Sequence, residues 1–102
     1  MNQQEKETAL FANLVMMFHS ATMQHLGKIK NPMTDAIERD LPQAQLTIDL
    51  LDMLAAKTKG NLSEEEGKFL TNVVRELKLN YVDEQTKAAQ APKEPAKKEG
   101  QS

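Results

Sequence analysis

The amino-acid sequence predicts an all-α protein, and three observations lead to this fold class. Ala, Leu, Met, Gln, Glu and Lys are abundant, while aromatic residues make up only 4% of the 102 residues. This composition favours helices over sheets. Apolar residues recur at the spacing of a helical face, and Gly27, Pro32 and Gly60 separate three such segments. We therefore expect three helices.

The first predicted helix covers residues 5–26 and ends before Gly27. Glycine readily adopts the left-handed conformation that often terminates a helix. A connector of residues 28–40 follows, and its Pro32 disfavours a helical conformation at the preceding residue. The sequence therefore predicts a break between the first and second helices, but it does not specify the conformation of the connector.

The second and third predicted helices cover residues 41–59 and 63–84. Gly60 follows the second helix as a left-handed stop. Ser63 and Glu66 have the spacing of a capping box at the start of the third. Because the connection between these helices is so short, we expect them to be antiparallel neighbours that form an αα-hairpin.

The predicted domain ends at residue 85, and residues 86–102 are expected to be a disordered tail. This segment contains two prolines, and four Lys against two Glu give it a net charge of +2. It has no residue more apolar than Ala, so it cannot bury enough surface to order itself. The rest of the chain is acidic, and the net charge of −2 overall excludes the strongly basic surface of non-specific nucleic-acid binders.

Apolar side chains surround most of the first and second helices, whereas the third has a single apolar stripe. A helix that is apolar nearly all round must be covered on more than one side. Three helices of this length cannot cover two such members, so we expect a helical homo-oligomer, most simply a dimer. The alternative is that an unidentified protein partner or a membrane surface covers the same patch. The predicted interface residues are Phe11, Leu14, Val15, Phe18, Leu50 and Leu54.

Reactive side chains are few, and the sequence predicts neither a catalytic nor a cofactor site. The chain has no Cys, which excludes disulfides, thiolate nucleophiles and Cys-based zinc sites. His19 and His25 project about 240° apart on the helix, so they cannot bind one metal ion from the same face. Asp49 and Asp52 lack an accompanying residue with ligand spacing. We therefore expect a non-enzymatic protein without a bound metal.

The uncharged segment of residues 8–27 has the length of a membrane span. Polar side chains within it, including Asn13 and Gln24, make such a span unfavourable. The first seven residues lack the basic start of a signal peptide. We therefore expect no transmembrane span and a location in the cytoplasm.

A set of positions distributed over residues 10–85 resembles the pattern of a known family. They are Phe11, Val15, Ala21, 26–27, Leu41, Ala44, 48–51, Leu54, 57–66, Leu70, Leu77 and 81–82. The most specific part is the Lys-Thr-Lys-Gly-Asn-Leu stretch that begins at Lys57. The pattern is similar to that of the family known as domain of unknown function eighteen forty-four. This resemblance implies a small bacterial helical protein, and it implies no activity.

The leading functional hypothesis is a homo-oligomeric protein–protein interaction module. Two alternatives belong to other classes. The basic tail could associate with nucleic acid or the ribosome, which the acidic body disfavours. The first helix could attach to a membrane surface, although it lacks the Lys- and Arg-rich polar face of an interfacial anchor.

Overall fold

The computed structural model describes residues 1–90, which form three helices. They are α1 (Gln3–His25), α2 (Leu41–Lys57) and α3 (Glu64–Gln90). Each of them packs against the other two. The all-α fold class that the sequence predicts is confirmed.

Helix α1 begins two residues earlier than predicted because Asn2 caps it. The Asn2 side chain accepts a hydrogen bond from the Glu5 backbone N–H at 2.8 Å. The Glu5 carboxylate in turn accepts one from the Asn2 N–H at 2.9 Å. These two bonds form a capping box, which satisfies two backbone donors that the first helical turn leaves free.

The turn between α2 and α3 is built from local hydrogen bonds. Helix α2 ends at Lys57, two residues before the predicted end, and the Thr58 hydroxyl donates to the Leu54 carbonyl at 2.7 Å. Gly60 has a φ of +88° in the left-handed region. At the start of α3, Ser63 and Glu66 exchange hydrogen bonds at 2.8 and 3.1 Å. The chain therefore reverses direction here, and α2 and α3 form the expected αα-hairpin.

Helix α3 extends to Gln90, so the prediction of a tail from residue 86 was wrong for residues 86–90. Two features extend the helix. The segment Lys-Ala-Ala-Gln has high helix propensity. The Lys87 ammonium also forms ion pairs at 3.2 Å with Asp83 and 3.3 Å with Glu84, one turn earlier. The remainder of the predicted tail, residues 91–102, lies outside the described residues.

The core lies along the common axis of the three helices. Its buried apolar residues are Val15, Ile48, Leu51, Leu70, Val73, Val74 and Leu77. Between α1 and α2, the hydroxyl oxygens of Thr22 and Thr47 lie 2.6 Å apart. Both residues are buried. This contact fixes the axial register of α1 and α2, because it places Thr22 beside Thr47.

The connector of residues 26–40 folds back on itself as a short hairpin. Gly27 opens it with a φ of +78°. The Asp40 N–H donates to the His25 carbonyl at 2.7 Å, and the Asn31 N–H donates to the Ala36 carbonyl at 2.8 Å. Because the end of α1 is thus joined to the start of α2, these two helices are antiparallel.

Candidate interaction surface

Helix α1 presents a row of apolar side chains to solvent. Leu10, Leu14 and Met17 follow one another at intervals of four and three residues, which places them on one face of the helix. All three are exposed, Leu14 by 39% and Met17 by 62%. Exposure of single apolar side chains is ordinary, but an aligned row of them requires an explanation.

Helix α2 presents a matching row with the same spacing. It consists of Leu46, Leu50 and Met53, followed after four more residues by Lys57. Leu46 is exposed by 50% and Met53 by 47%, while Leu50 is half-buried. The row is therefore apolar over two helical turns and ends in a cation.

The two rows lie on the same side of the bundle, which follows from the neighbours of each helix. On α1, His19 faces Glu76 of α3, and Thr22 faces α2. On α2, Asp52 faces Lys78 of α3, and Thr47 faces α1.

Successive residues are about 100° apart around a helix. On each of the two helices, going round in the same direction, the residue that contacts α3 comes first, the threonine between α1 and α2 second and the exposed row third. The rows therefore flank the seam between α1 and α2. Because Thr22 and Thr47 share one level in these antiparallel helices, the rows are staggered and come level with each other only at Met17 and Met53. We refer to this surface as the α1–α2 face; its residues are Leu10, Leu14, Met17, Leu46, Leu50 and Met53.

The α1–α2 face has the size of a functional patch. The first and last residues of each row are seven positions apart, which is about 10 Å between their Cα atoms at 1.5 Å per residue. With the reach of the side chains and a helix spacing of 8–10 Å, the two rows together cover roughly 300 Å². The largest apolar patch on a soluble monomer is about 300–600 Å² and often has a function. Because residues 8–27 carry no formal charge, the α1 half of the face is also neutral.

The structure places the six predicted interface residues in three different environments. Val15 is fully buried in the core of the single subunit, so the prediction that it contacts a partner was wrong. Phe11, Phe18 and Leu54 are half-buried and pack against that core. The two that belong to the α1–α2 face are Leu14 and Leu50.

Sequence reasoning did not assign the other members of the face to the interface. Leu10, Met17, Leu46 and Met53 are apolar and helical, as are the core residues. The signal that distinguishes them is their spacing relative to the residues that contact another helix, such as Thr22. That signal requires knowledge of which helices are neighbours.

A second notable cluster is polar and joins the connector to α3. Its centre is the Glu84 carboxylate, only 5% exposed. It lies 2.6 Å from the Lys28 ammonium and 2.7 Å from the Arg39 guanidinium. Burial alone would raise the Glu84 pKa, but the hydrogen bonds from Lys28 and Arg39 outweigh it and lower the pKa.

Neighbouring charges complete this cluster. Asp83 lies 2.8 Å from the Lys28 ammonium. The hydrogen bonds that the Lys28 ammonium donates to Asp83 and Glu84 raise the pKa of Lys28, and the bond that it donates to Asp83 lowers the pKa of that carboxyl. These groups satisfy one another, so we interpret the cluster as a clasp that holds the connector. Lys87, which was predicted to belong to a free basic tail, is also paired here.

At the opposite end of the bundle, the cap of α3 also contacts α1. The Thr8 hydroxyl donates to the Glu66 carboxylate at 2.6 Å. This bond lowers the pKa of Glu66, together with the bonds from Ser63. Glu66 therefore both caps its own helix and attaches it to α1. Gly60, the remaining predicted turn residue, lies in the loop that precedes this cap.

A shallow groove of about 470 Å³ lies between α2 and α3. Apolar side chains, among them Val74, Leu79 and Val82, form much of its lining, and the ion pair of Asp52 and Lys78 lies at its edge. Leu79 is 67% exposed. This groove is on the opposite side of α2 from the α1–α2 face.

Within residues 1–90, no cluster of three or more His, Cys, Asp or Glu side chains could hold a metal ion. In the same residues, no helix combines the length and the apolar character needed to cross a membrane.

The fold and this surface define a small three-helix domain with an apolar face on two of its helices. The chain matches the model of the family described as "Domain of unknown function (DUF1844)" over residues 8–84, and it belongs to this family. The matched region includes all six residues of the α1–α2 face and the clasp residues Lys28, Arg39 and Glu84. No curated protein and no solved structure matches the chain.

Proposed function

We propose that the protein is a non-enzymatic interaction module of the cytoplasm that self-associates through the α1–α2 face. The observation that carries this proposal is the pair of exposed apolar rows on adjacent helices, with Met17 exposed by 62% and Met53 by 47%. Removing such side chains from water is the main driving force for association.

The dimensions of the face fit a second copy of the chain. A stable interface of standard size covers about 800 Å² on each partner, of which a little more than half is apolar. The roughly 300 Å² of apolar surface estimated from helix geometry supplies the larger part of that share. Polar residues at the edge, such as Asn13, Ser20 and Asp49, would form the rim.

The charge of the face disfavours a membrane surface as its partner. Attachment to anionic lipid usually requires Lys or Arg residues beside the apolar face. Between residues 8 and 27 there are none, and on the α2 row Lys57 is accompanied by Asp49. A protein surface with matched polarity is therefore the better fit.

The alternative of nucleic-acid or ribosome association stays a prediction. Three of the four tail lysines, Lys93, Lys97 and Lys98, lie outside the described residues. The fourth, Lys87, is engaged with Asp83 and Glu84, which favours a role for it in the fold.

Two variants with a matched chemical change test the proposal. Met17→Glu places a carboxylate in the α1–α2 face, whereas Leu79→Glu places one at an exposed apolar position of α3. Both glutamates are compatible with a helix. Light scattering after size-exclusion chromatography should give twice the 11.4 kDa of one chain for the unmodified protein and for Leu79→Glu. Met17→Glu should weaken the dimer at least tenfold, because a buried unpaired carboxylate costs more than one factor of ten in affinity.

A monomeric mass for the unmodified protein at 100 µM would overturn the proposal. So would a dissociation constant of the dimer that Met17→Glu leaves unchanged. Circular dichroism of both variants should retain the helical content of the original chain, since neither side chain belongs to the core.

A further inference from the structure

We propose that the two copies pack with their α2 helices antiparallel, across a two-fold axis at the level of Met53, and with Asp49 of each chain beside Lys57 of the other. This inference depends on the proposed function, because it specifies how the α1–α2 face meets its copy. It names the residue on the axis and the charge pair that sets the orientation.

The charges on α2 are arranged symmetrically about Met53. Asp49 precedes it by four residues and Lys57 follows it by four, which is about 6 Å along the helix in each direction. Both side chains are exposed. Within residues 1–90, Lys57 takes part in no ion pair, and one oxygen of the Asp49 carboxylate accepts a hydrogen bond at 2.9 Å from Gln45. Lys57 is therefore free to pair with a second chain, and the other oxygen of the Asp49 carboxylate is available to accept from it.

A two-fold axis perpendicular to the helices makes this pattern self-complementary. Such an axis places each α2 against the copy of itself in the opposite direction, so a residue before the axis meets one after it. With the axis at Met53, Asp49 faces Lys57 twice in one dimer. Placing opposite charges together in this way fixes register and orientation.

The same axis also suits α1. The contact of Thr22 with Thr47 puts these residues at one level. Met53 lies six residues after Thr47, which is about 9 Å along α2. Because α1 runs in the opposite direction, the residue of α1 beside Met53 lies six residues before Thr22, at residue 16. Leu14 and Met17 lie on either side of that level, so Leu14 would contact Met17 of the second copy.

An axis parallel to the helices is the main alternative and lacks this complementarity. It would place α2 of one copy over α1 of the other. Lys57 would then face Leu10 and Leu14, on a part of α1 that carries no charge. In that arrangement Lys57 is level with residue 12, about 7.5 Å along the helix from Glu7, the nearest carboxylate of the row. The perpendicular axis places Lys57 level with Asp49, so the charge pattern favours it.

Cysteine cross-linking distinguishes the two arrangements, and the chain has no native Cys to interfere. A residue on a two-fold axis lies close to its own copy, and a disulfide requires Cα atoms about 4.4–6.8 Å apart. Met53→Cys should therefore form a covalent dimer on mild oxidation. Leu79→Cys, at a position on α3 that is more exposed than Met53 (67% against 47%), should remain mainly monomeric on a non-reducing gel.

In the parallel-axis alternative, the oxidation gives a different product. Met53→Cys would not link to itself, whereas a mixture of Leu14→Cys and Met53→Cys chains would form the mixed dimer. Either that result or equal cross-linking of Met53→Cys and Leu79→Cys would overturn the inferred arrangement.

Charge exchange provides an independent measurement. Lys57→Glu should raise the dissociation constant on the order of tenfold, since it replaces two ion pairs per dimer by two repulsions. Asp49→Lys should act similarly. The double variant Asp49→Lys/Lys57→Glu should restore the original value, because it exchanges the partners and keeps their attraction.

The two proposals fail in different ways. A dimer of normal mass without the Met53→Cys link and without rescue by the double variant overturns the arrangement and leaves self-association intact. A chain that stays monomeric at 100 µM overturns both.

Discussion

Glu84 is a carboxylate that folding removes almost completely from water. Its burial would be unfavourable without the Lys28 ammonium at 2.6 Å and the Arg39 guanidinium at 2.7 Å. Both cations come from the connector between α1 and α2, while Glu84 belongs to α3. One side chain therefore determines how an irregular segment lies on the bundle.

The lowered pKa of Glu84 links this clasp to pH. Its folded-state pKa is below the unfolded value of about 4.3. The charged clasp therefore contributes stability that is fully present above that unfolded value and is lost as the pH falls through the folded value. Asp83 and Glu66 have lowered pKa values and act in the same direction.

Replacing Glu84 by Gln tests this interpretation. Glu84→Gln should lower the free energy of unfolding at pH 7 by about 2 kcal/mol, the scale of hydrogen bonds to charged groups. It should also lose less stability than the original chain between pH 6 and pH 3. Urea unfolding at the two pH values, followed by circular dichroism, measures both effects.

Glu76→Gln is the matched control. The Glu76 carboxylate is more than half exposed and lies 3.5 Å from His19, so the change should cost no more than about 0.5 kcal/mol. Equal loss of stability in the Glu84→Gln and Glu76→Gln variants would contradict the assigned role of the clasp.

At the scale of single residues, local signals could be read from the sequence and distant ones could not. Ser63 and Glu66 are three residues apart, so their hydrogen bonds follow from the chain itself. Glu84 lies 45 residues from Arg39. Nothing in the order of residues indicates that this carboxylate, among many acidic residues, is the buried one.

The level at which α1 meets α2 depends on a hydroxyl pair. Thr22 and Thr47 have one proton each, while three contacts involve their hydroxyls: with each other at 2.6 Å, with the Phe18 carbonyl at 2.7 Å and with the Ala44 carbonyl at 3.0 Å. Two protons can therefore satisfy only two of these contacts at one time. A valine at either position keeps the shape and removes the hydroxyl.

A double-mutant cycle measures this coupling between α1 and α2. Thr22→Val and Thr47→Val should each lower the free energy of unfolding by about 1 kcal/mol. The double variant should lose less than the sum, since it leaves neither hydroxyl without its partner. Urea denaturation of the four proteins supplies the values. Additivity to within about 0.3 kcal/mol would show that the two hydroxyls are not coupled.

At the scale of the helices, end signals at the turn were predicted more accurately than helix length. The short loop around Gly60 predicted the αα-hairpin, because so few connecting residues allow the two helices only an antiparallel arrangement side by side. The extension of α3 to Gln90 was missed, since two prolines further along suggested an earlier end. Ion pairs of Lys87 with the preceding turn and the helix propensity of this segment outweighed that signal locally.

For the molecule as a whole, the sequence predicted an excess of apolar surface on α1 and α2, and the structure leaves part of it exposed. The sequence did not distinguish core residues from surface residues on these helices. Leu14 and Val15, for example, are neighbouring aliphatic residues on a helix that is apolar on most sides. The positions of the neighbouring helices determine which residue is buried. Val15 faces them and is fully buried, whereas Leu14 lies beside the contact and stays exposed. Phe18 illustrates the consequence, since it packs against the core.

Self-association should make thermal stability depend on concentration. If the dimer unfolds to two chains, a tenfold rise in concentration stabilises it by about 1.4 kcal/mol. For the 90 residues that the structure describes in each chain, 180 per dimer, this corresponds to an increase of about 3–4 °C in Tm. Scanning calorimetry from 10 to 100 µM measures the shift.

Two variants separate association from folding in this experiment. Met17→Glu should give a monomer that retains its helices and has a Tm independent of concentration. Phe18→Asp should instead lose helical content, because it buries a carboxylate at the edge of the core of each subunit. If Met17→Glu kept the concentration dependence of the original chain, the α1–α2 face would not be where the copies meet. If Phe18→Asp remained fully helical, the assignment of Phe18 to the packing of the single subunit would be wrong.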